Sequence, residues 1–209
     1  MGECKICNDS KHIFKNGMAY DCECLIKQKH FNKLIEAGIE EELIDFTWEN
    51  IDDKRYKNKD LVKNIKSLSE RLCDNQIVPF VLFDKNSFGK SLFVSLIISD
   101  LINVKKTCYV VELENLVNAT FENDEEKKSL LEKCRDVDFL CIELGYEREH
   151  KMNSQTIEKF YRSRKRRKKI TAFTSKYDLT ELDLRFGESV INMFKERKFK
   201  ERILKVYIQ

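Results

Sequence analysis

The chain has 209 residues, 36% of them charged, yet 39 Lys plus Arg against 36 Asp plus Glu leave a formal charge of only +3. The signs are interspersed, which removes any global polycation case for nucleic acid, and one proline with six glycines argues against a loop-rich all-β fold or a disordered linker. No signal-like start, long apolar run or lipidation pattern is present, so the expectation is a soluble cytoplasmic protein with no membrane partner, one main domain and a small appendage.

Eight cysteines are present. Cys73, Cys108, Cys134 and Cys141 stand singly in periodic or apolar segments, where a reduced thiol acts as a small buried hydrophobe. The other four crowd into the first 24 residues. Cys4 and Cys7 form a C-x-x-C knuckle and Cys22 and Cys24 a tighter C-x-C pair. Asn16-Gly17 between them is a turn signal that folds the pairs together. Four thiolates so spaced suit a structural Zn²⁺, in a closed site with no open position for catalysis. Two disulfides or a redox dithiol are the other readings of this spacing, and His12 and His30 are substitute ligands.

Leu25, Ile26, Phe31, Leu34 and Ile35 predict an amphipathic helix over 25–37, stopped by Gly38. Residues 38–51 read as a short acidic turn and then an extended stretch whose Phe46 and Trp48 anchor it to the next domain, with base stacking as the alternative role. Apolar residues at 61, 62, 65, 68 and 72 predict a second helix. An apolar run at 79–83 then meets a polar loop that closes on Gly89-Lys90-Ser91, and an apolar helical pattern follows.

Strand, loop, Gly-Lys-Ser and helix are the parts of a phosphate-binding P-loop. In that reading the stretch Asn86, Ser87, Phe88, Gly89 turns backbone N–H groups toward an anion, Lys90 reaches terminal phosphates, and the Ser91 hydroxyl helps hold Mg²⁺. The pattern G-x-x-x-x-G-K-S/T asks for glycine where this chain has Asp84, whose side chain and charge weaken a phosphate site. A Gly-Lys-Ser that opens an ordinary helix is the competing reading.

Residues 107–113 read as a buried strand, 114–121 and 125–134 as helices, and 138–145 as the next strand with its exit, which carries Glu143. A helix over 153–164 runs into a stretch with seven positive charges in the eight residues 162–169. Arg162, Arg164, Lys165, Arg166, Arg167 and Lys168 there either neutralise DNA phosphates or form a solvated helix end favoured by the dipole. Residues 170–176 are the fourth strand, Asp178 or Thr180 caps the next helix, and 203–208 form the last strand. This alternation predicts an α/β core, a five-stranded parallel sheet with helices on both faces.

The order Cys-x-x-Cys, Cys-x-Cys, lysine-rich helix, the segment from Gly38 to Asp52, helix and P-loop resembles the bacterial and phage replicative helicase loaders of the DnaC/DnaI type and the related transposon ATPase IstB. The likeness covers nearly the whole chain. It continues in Leu179, Glu181, Leu182, Arg185, Phe186, Gly187 and Glu188, which follow the family's L-x-E-L-x-x-R-Y-G-E element. The resemblance implies a Cys-rich zinc-binding region at 1–30, a helical linker and first part of the AAA+ region at 31–75, and an AAA+ P-loop core without a lid at 76–209. It also implies that the N-terminal region contacts a replicative DNA helicase, a DnaB-like hexamer. The core would bind ATP or ADP with Mg²⁺ and single-stranded DNA, and assemble as a homo-oligomer.

Four positions depart from the family pattern. Asp84 replaces the P-loop glycine, Lys176 the sensor asparagine and Met193 the arginine that reaches a neighbouring subunit, with Arg197 and Arg202 nearby. Aligning Leu144-Gly145 with the Walker B strand puts Ile142 at the metal-binding acid and Glu143 at the catalytic acid. Sliding by one gives Glu143 the metal and Leu144 the catalytic position. The expectation is a kept fold with impaired hydrolysis, since phosphoryl transfer depends on positioning and charge neutralisation. That describes a loader-like replication adaptor, phage- or mobile-element-borne by its degenerate site and Lys/Asn/Ile-rich composition, with weak nucleotide binding to which Lys176 adds charge. An ATPase with substitute residues and a non-catalytic inhibitor of the loader–helicase assembly are the alternatives.

Overall fold

The computed structural model describes residues 4–56, 58, 60–83, 88–122, 124–145, 151–195 and 203–205. The chain opens on a hairpin in which β1 (His12–Lys15) pairs antiparallel with β2 (Met18–Asp21). Asn16 and Gly17 at its tip both have positive φ, 52° and 77°, as a two-residue turn of type I′ requires. Helix α1 (Glu23–Glu36) starts at once after Cys22.

Gly38 ends α1 with φ 86°, and a Cβ there would lie 3.2 Å from the Val110 carbonyl oxygen. Only glycine meets both demands. The close approach lets Val110 N–H donate to the Ala37 carbonyl at 2.8 Å, tying the end of α1 to the main sheet. The amphipathic reading of α1 needs correction. Leu34 is buried, while Ile26, Phe31 and Ile35 are exposed.

The stretch expected to be extended is instead made of short turns, α2 (Glu41–Ile44) and a 3-10 turn at Trp48–Asn50 capped by Thr47. A Thr-x-x-Asn capping box closes that turn, satisfying backbone donors locally. Trp48 is the anchor. Its indole N–H donates to Asp100 Oδ2 at 2.9 Å, Ser69 donates to the same oxygen at 2.7 Å, and the ring packs near Phe93. Phe46 is 41% exposed and, unlike Trp48, is not among the side chains packed against the core cluster.

The core alternates as expected: α3 (Leu61–Cys73), β3 (Phe80–Phe83), α4 (Phe88–Asn103), β4 (Cys108–Glu112), α5 (Leu113–Phe121), α6 (Glu125–Asp136), β5 (Phe139–Leu144), α7 (Lys151–Arg166), β6 (Ile170–Ser175), α8 (Leu179–Phe186), α9 (Glu188–Lys195) and β7 (Ile203–Lys205). The five core strands form one parallel sheet in the order β4-β5-β6-β3-β7. All four residues of β3 are buried, the unbroken apolar run of a strand covered on both faces. Alternation divides the core in two. Phe80, Leu82, Phe139 and Cys141 pack against α1, α3 and α4. Val81, Phe83, Leu140, Ile142 and Phe173 pack against the helices on the other face. Helix α4 is apolar nearly all round because it lies between sheet and helices.

Candidate functional site

The parallel register puts Phe83, Leu144 and Ser175 level at the end where the strands stop, the usual ligand end of an open α/β sheet. Gly89, Lys90 and Ser91 form the first turn of α4 there. Asp84, Asn86 and Ser87 lie outside the described residues, and of Phe88 only the backbone is described. Lys90 is buried and Ser91 half-buried.

Glu143 sits on the α4 side of β5, where it and Ser91 line one small cavity with Gly38, Glu40 and Val110. A larger adjoining cavity of about 600 Å³ is lined by Glu40, Glu112, Glu143, Lys127 and Lys133 among others. Burial, then Glu112 and Glu40, push the Glu143 carboxyl above its ordinary range, while Lys90 draws it down. Ile142 points the other way and is buried in the opposite core cluster. The alignment that gives Ile142 the metal position is thereby corrected, because a side chain on that face cannot meet Ser91. Glu143 alone of this strand end faces the Gly-Lys-Ser helix, and Leu144 beside it is buried.

Lys176 follows β6, the strand next to β3. Its ammonium and the Arg185 guanidinium lie over the Tyr177 ring, at 5.0 and 3.9 Å from the centroid, within cation–π range. Asp178 caps α8 by accepting from Thr180 and Glu181 N–H, and Glu181 returns a bond to the Asp178 N–H. Met193 is buried against the second core cluster. Arg197 and Arg202 lie outside the described residues.

Cys4, Cys7, Cys22 and Cys24 converge, with all four sulfurs within 4.8 Å of one another. The Cys4–Cys22 pair is 3.8 Å apart and the Cys7–Cys24 pair 3.5 Å. Zn–S bonds of about 2.3 Å at tetrahedral angles need sulfurs roughly 3.8 Å apart, so the cluster fits that ion. Backbone N–H groups of Cys7 and Ile6 hold the Cys4 thiol down at about 7. Sharing with Cys7 pushes Cys24 up to about 12, since crowded thiols cannot all ionise without a cation between them. His12 instead faces Asp21 at 3.6 Å, and His30 pairs with the Ser99 hydroxyl at 3.0 Å. Neither is among the converging ligands.

The basic run lies at the other end of the sheet, where β5 and β6 begin. Arg164 must be removed from the expected DNA contacts. It is fully buried, and its guanidinium donates to the carbonyls of Cys134, Arg135, Val137 and Ile170 and to the Thr171 hydroxyl. Five donors in a fixed fork suit a knot of orphan carbonyls. Arg162 pairs with Glu158 and Arg167 with Asp136. Lys165, Arg166 and Lys168 are exposed, with the Lys165 ammonium 5.4 Å from the Tyr161 ring centroid.

The described core is a five-stranded parallel sheet between helical layers, with a helix that carries Gly-Lys-Ser after the strand next to the edge and an acidic residue two strands away. No protein-family model matches the chain, and no curated protein matches it in sequence. Solved structures do match in shape. DnaI is similar with a TM-score of 0.63 at 16% identity, over 82% of this chain and 95% of that one. The DnaC helicase loader is similar with a TM-score of 0.64 at 16% identity, over 81% of this chain and 100% of that one. AMPPCP-bound DnaA from Aquifex aeolicus is similar with a TM-score of 0.58 at 14% identity, over 79% of this chain and 50% of that one. The chain therefore has the fold of the AAA+ helicase loaders. Among the described residues no helix is long and apolar enough to cross a membrane.

Sequence reasoning missed Glu40 and Glu112. Strand alternation was the signal for Glu112, which lies in register beside Glu143. Nothing local marked Glu40, which reaches the cavity only because Gly38 lets the chain come close to β4.

Proposed function

We propose that this chain is a DNA-replication adaptor of helicase-loader type that binds nucleotide and hydrolyses it slowly. The observation that carries the reading is the placement of Ser91 and Glu143 on one cavity beside Lys90, within a loader fold. Lys90 meets the terminal phosphates, Asn86 to Gly89 offer backbone N–H groups, and Ser91 with Glu143 holds Mg²⁺. Lys176 adds positive charge from the neighbouring strand. Leu144 stands where a water-polarising acid belongs, and this limits turnover rather than binding. The N-terminal region, held by structural Zn²⁺ on Cys4, Cys7, Cys22 and Cys24, contacts the replicative helicase. Arg162, Lys165, Arg166, Arg167 and Lys168 favour DNA phosphates near the opposite end of the sheet.

Isothermal titration of ATP and ADP, with and without Mg²⁺, tests the site. Lys90→Ala abolishes binding, and Glu143→Gln removes the Mg²⁺ dependence while ADP alone still binds. An unchanged affinity in Lys90→Ala overturns the nucleotide reading. The replacement of the family's trans arginine by Met193 in sequence favours a second reading for the assembled state: a subunit that stalls a loader ring. Addition of this chain to an active loader then lowers ATP turnover in proportion to its share of subunits.

A further inference from the structure

We propose that Glu40, carried by the turn after α1, is a positioning residue of the candidate nucleotide site that holds the water shell of its Mg²⁺. This rests on the reading of Ser91 and Glu143 as the Mg²⁺ end of that site. Strand β5 supplies only Glu143 there, because Ile142 lies in the opposite core cluster and Leu144 is buried. The small cavity shared by Ser91 and Glu143 is also lined by Glu40, whereas Glu112 lines only the larger cavity beside it. The small cavity measures about 40 Å³, room for roughly three water-sized bodies. It suits a cation with its waters and is too small for a nucleotide.

The chain places this acid from outside the core strands. Gly38 turns at φ 86°, where a Cβ would stand 3.2 Å from the Val110 carbonyl oxygen. Val110 N–H donates to the Ala37 carbonyl at 2.8 Å, so the segment that follows is pinned beside β4. Glu40 then takes the N-cap position of α2, where a side-chain oxygen commonly accepts from the first turn, yet it makes no capping bond. Its side chain enters no hydrogen bond or ion pair among the described residues. That carboxylate is left facing a cavity it shares with a second acid, and its charge is one of those that push the Glu143 carboxyl up. A hydroxyl and two carboxylates are hard oxygen donors of the kind Mg²⁺ takes, and Mg²⁺ keeps several waters for neighbouring acids to hold.

Calorimetric titration of a non-hydrolysable ATP analogue, with and without Mg²⁺, tests the assignment without reference to turnover. Mg²⁺ strengthens binding to the parent. Glu40→Gln lowers that gain about ten-fold, does not weaken binding in the absence of Mg²⁺ and leaves the urea midpoint where it is in the parent. Glu112→Gln keeps the parent's gain. The assignment of Glu40 is overturned, with the nucleotide site left standing, if Glu40→Gln keeps the full Mg²⁺ gain. The same holds if Glu112→Gln loses as much, which makes the effect one of overall charge, or if the parent binds the analogue with no gain from Mg²⁺. A parent that binds no nucleotide, or binds equally well after Lys90→Ala, overturns the site itself and the role of Glu40 with it.

Discussion

Residues 4–22 and residues 80–83 hold their shape by opposite means. In the first segment the buried residues are Cys7 and Cys22, and Phe14, Met18 and Tyr20 of the hairpin face water. In the second every side chain is buried between two helical layers. A two-stranded hairpin is marginal alone in water, so the knuckle relies on whatever its four sulfurs bind. The sheet relies on apolar burial and needs no ligand. The difference shows why the fold does not depend on the candidate site: Lys90, Ser91 and Glu143 sit on a frame held by apolar burial.

The largest expected effect separates the two regions outright. Structural zinc is worth on the order of 10 kcal/mol to small metal-folded units. Chelation, or Cys22→Ser, therefore removes amide-exchange protection across residues 4–22, while the core keeps its cooperative melt. Loss of both together would mean that the core leans on the knuckle. Next comes Arg164→Ala, which leaves several buried carbonyls without donors and costs on the order of 4 kcal/mol, read as a lower urea midpoint. Arg164→Lys recovers only part, since an ammonium cannot span the fork of carbonyls. A surface role for Arg164 predicts no change in either variant.

Trp48→Phe removes the bond to Asp100 but keeps most of the apolar ring. It costs about 1–2 kcal/mol, and Phe46→Ala, at an exposed site, costs almost nothing by the same urea titration. The smallest effect is electrostatic and pH-dependent. Burial raises the Asp138 carboxyl, but Lys169 and Thr107 outweigh that and hold it at about 2, below its ordinary 3.8. Its contribution is complete above pH 3.8 and disappears as pH falls through about 2. The stability gap between the parent and Asp138→Asn is therefore level at neutral pH and narrows in that acid window. A gap that widens on acidification would contradict the assignment.

Much of this molecule was legible before any coordinates. The cysteine spacing, the Asn16-Gly17 turn and the apolar run into Gly-Lys-Ser are local signals, and the structure places each as a local rule predicts. The departures arose where distant segments meet. Phe46 and Trp48 are equal as aromatics in a sequence, and only the position of Asp100 on α4 separates them. Arg164 reads as one charge among seven in the basic run. It turns inward because α6, β5 and β6 bring their carbonyls to the same point.

By itself the sequence determined the alternation of strands and helices from α3 to α8, the four-sulfur cluster and the helix that carries Gly-Lys-Ser, because periodicity, turn chemistry and ligand spacing act over a few residues. The tertiary structure decided which acid faces Ser91, which arginine is structural and which aromatics stay in water. Those choices depend on strand alternation and on contacts between residues far apart in the chain. The side a β-strand residue faces is set by the sheet's parity, and an arginine's partners are set by where other elements end.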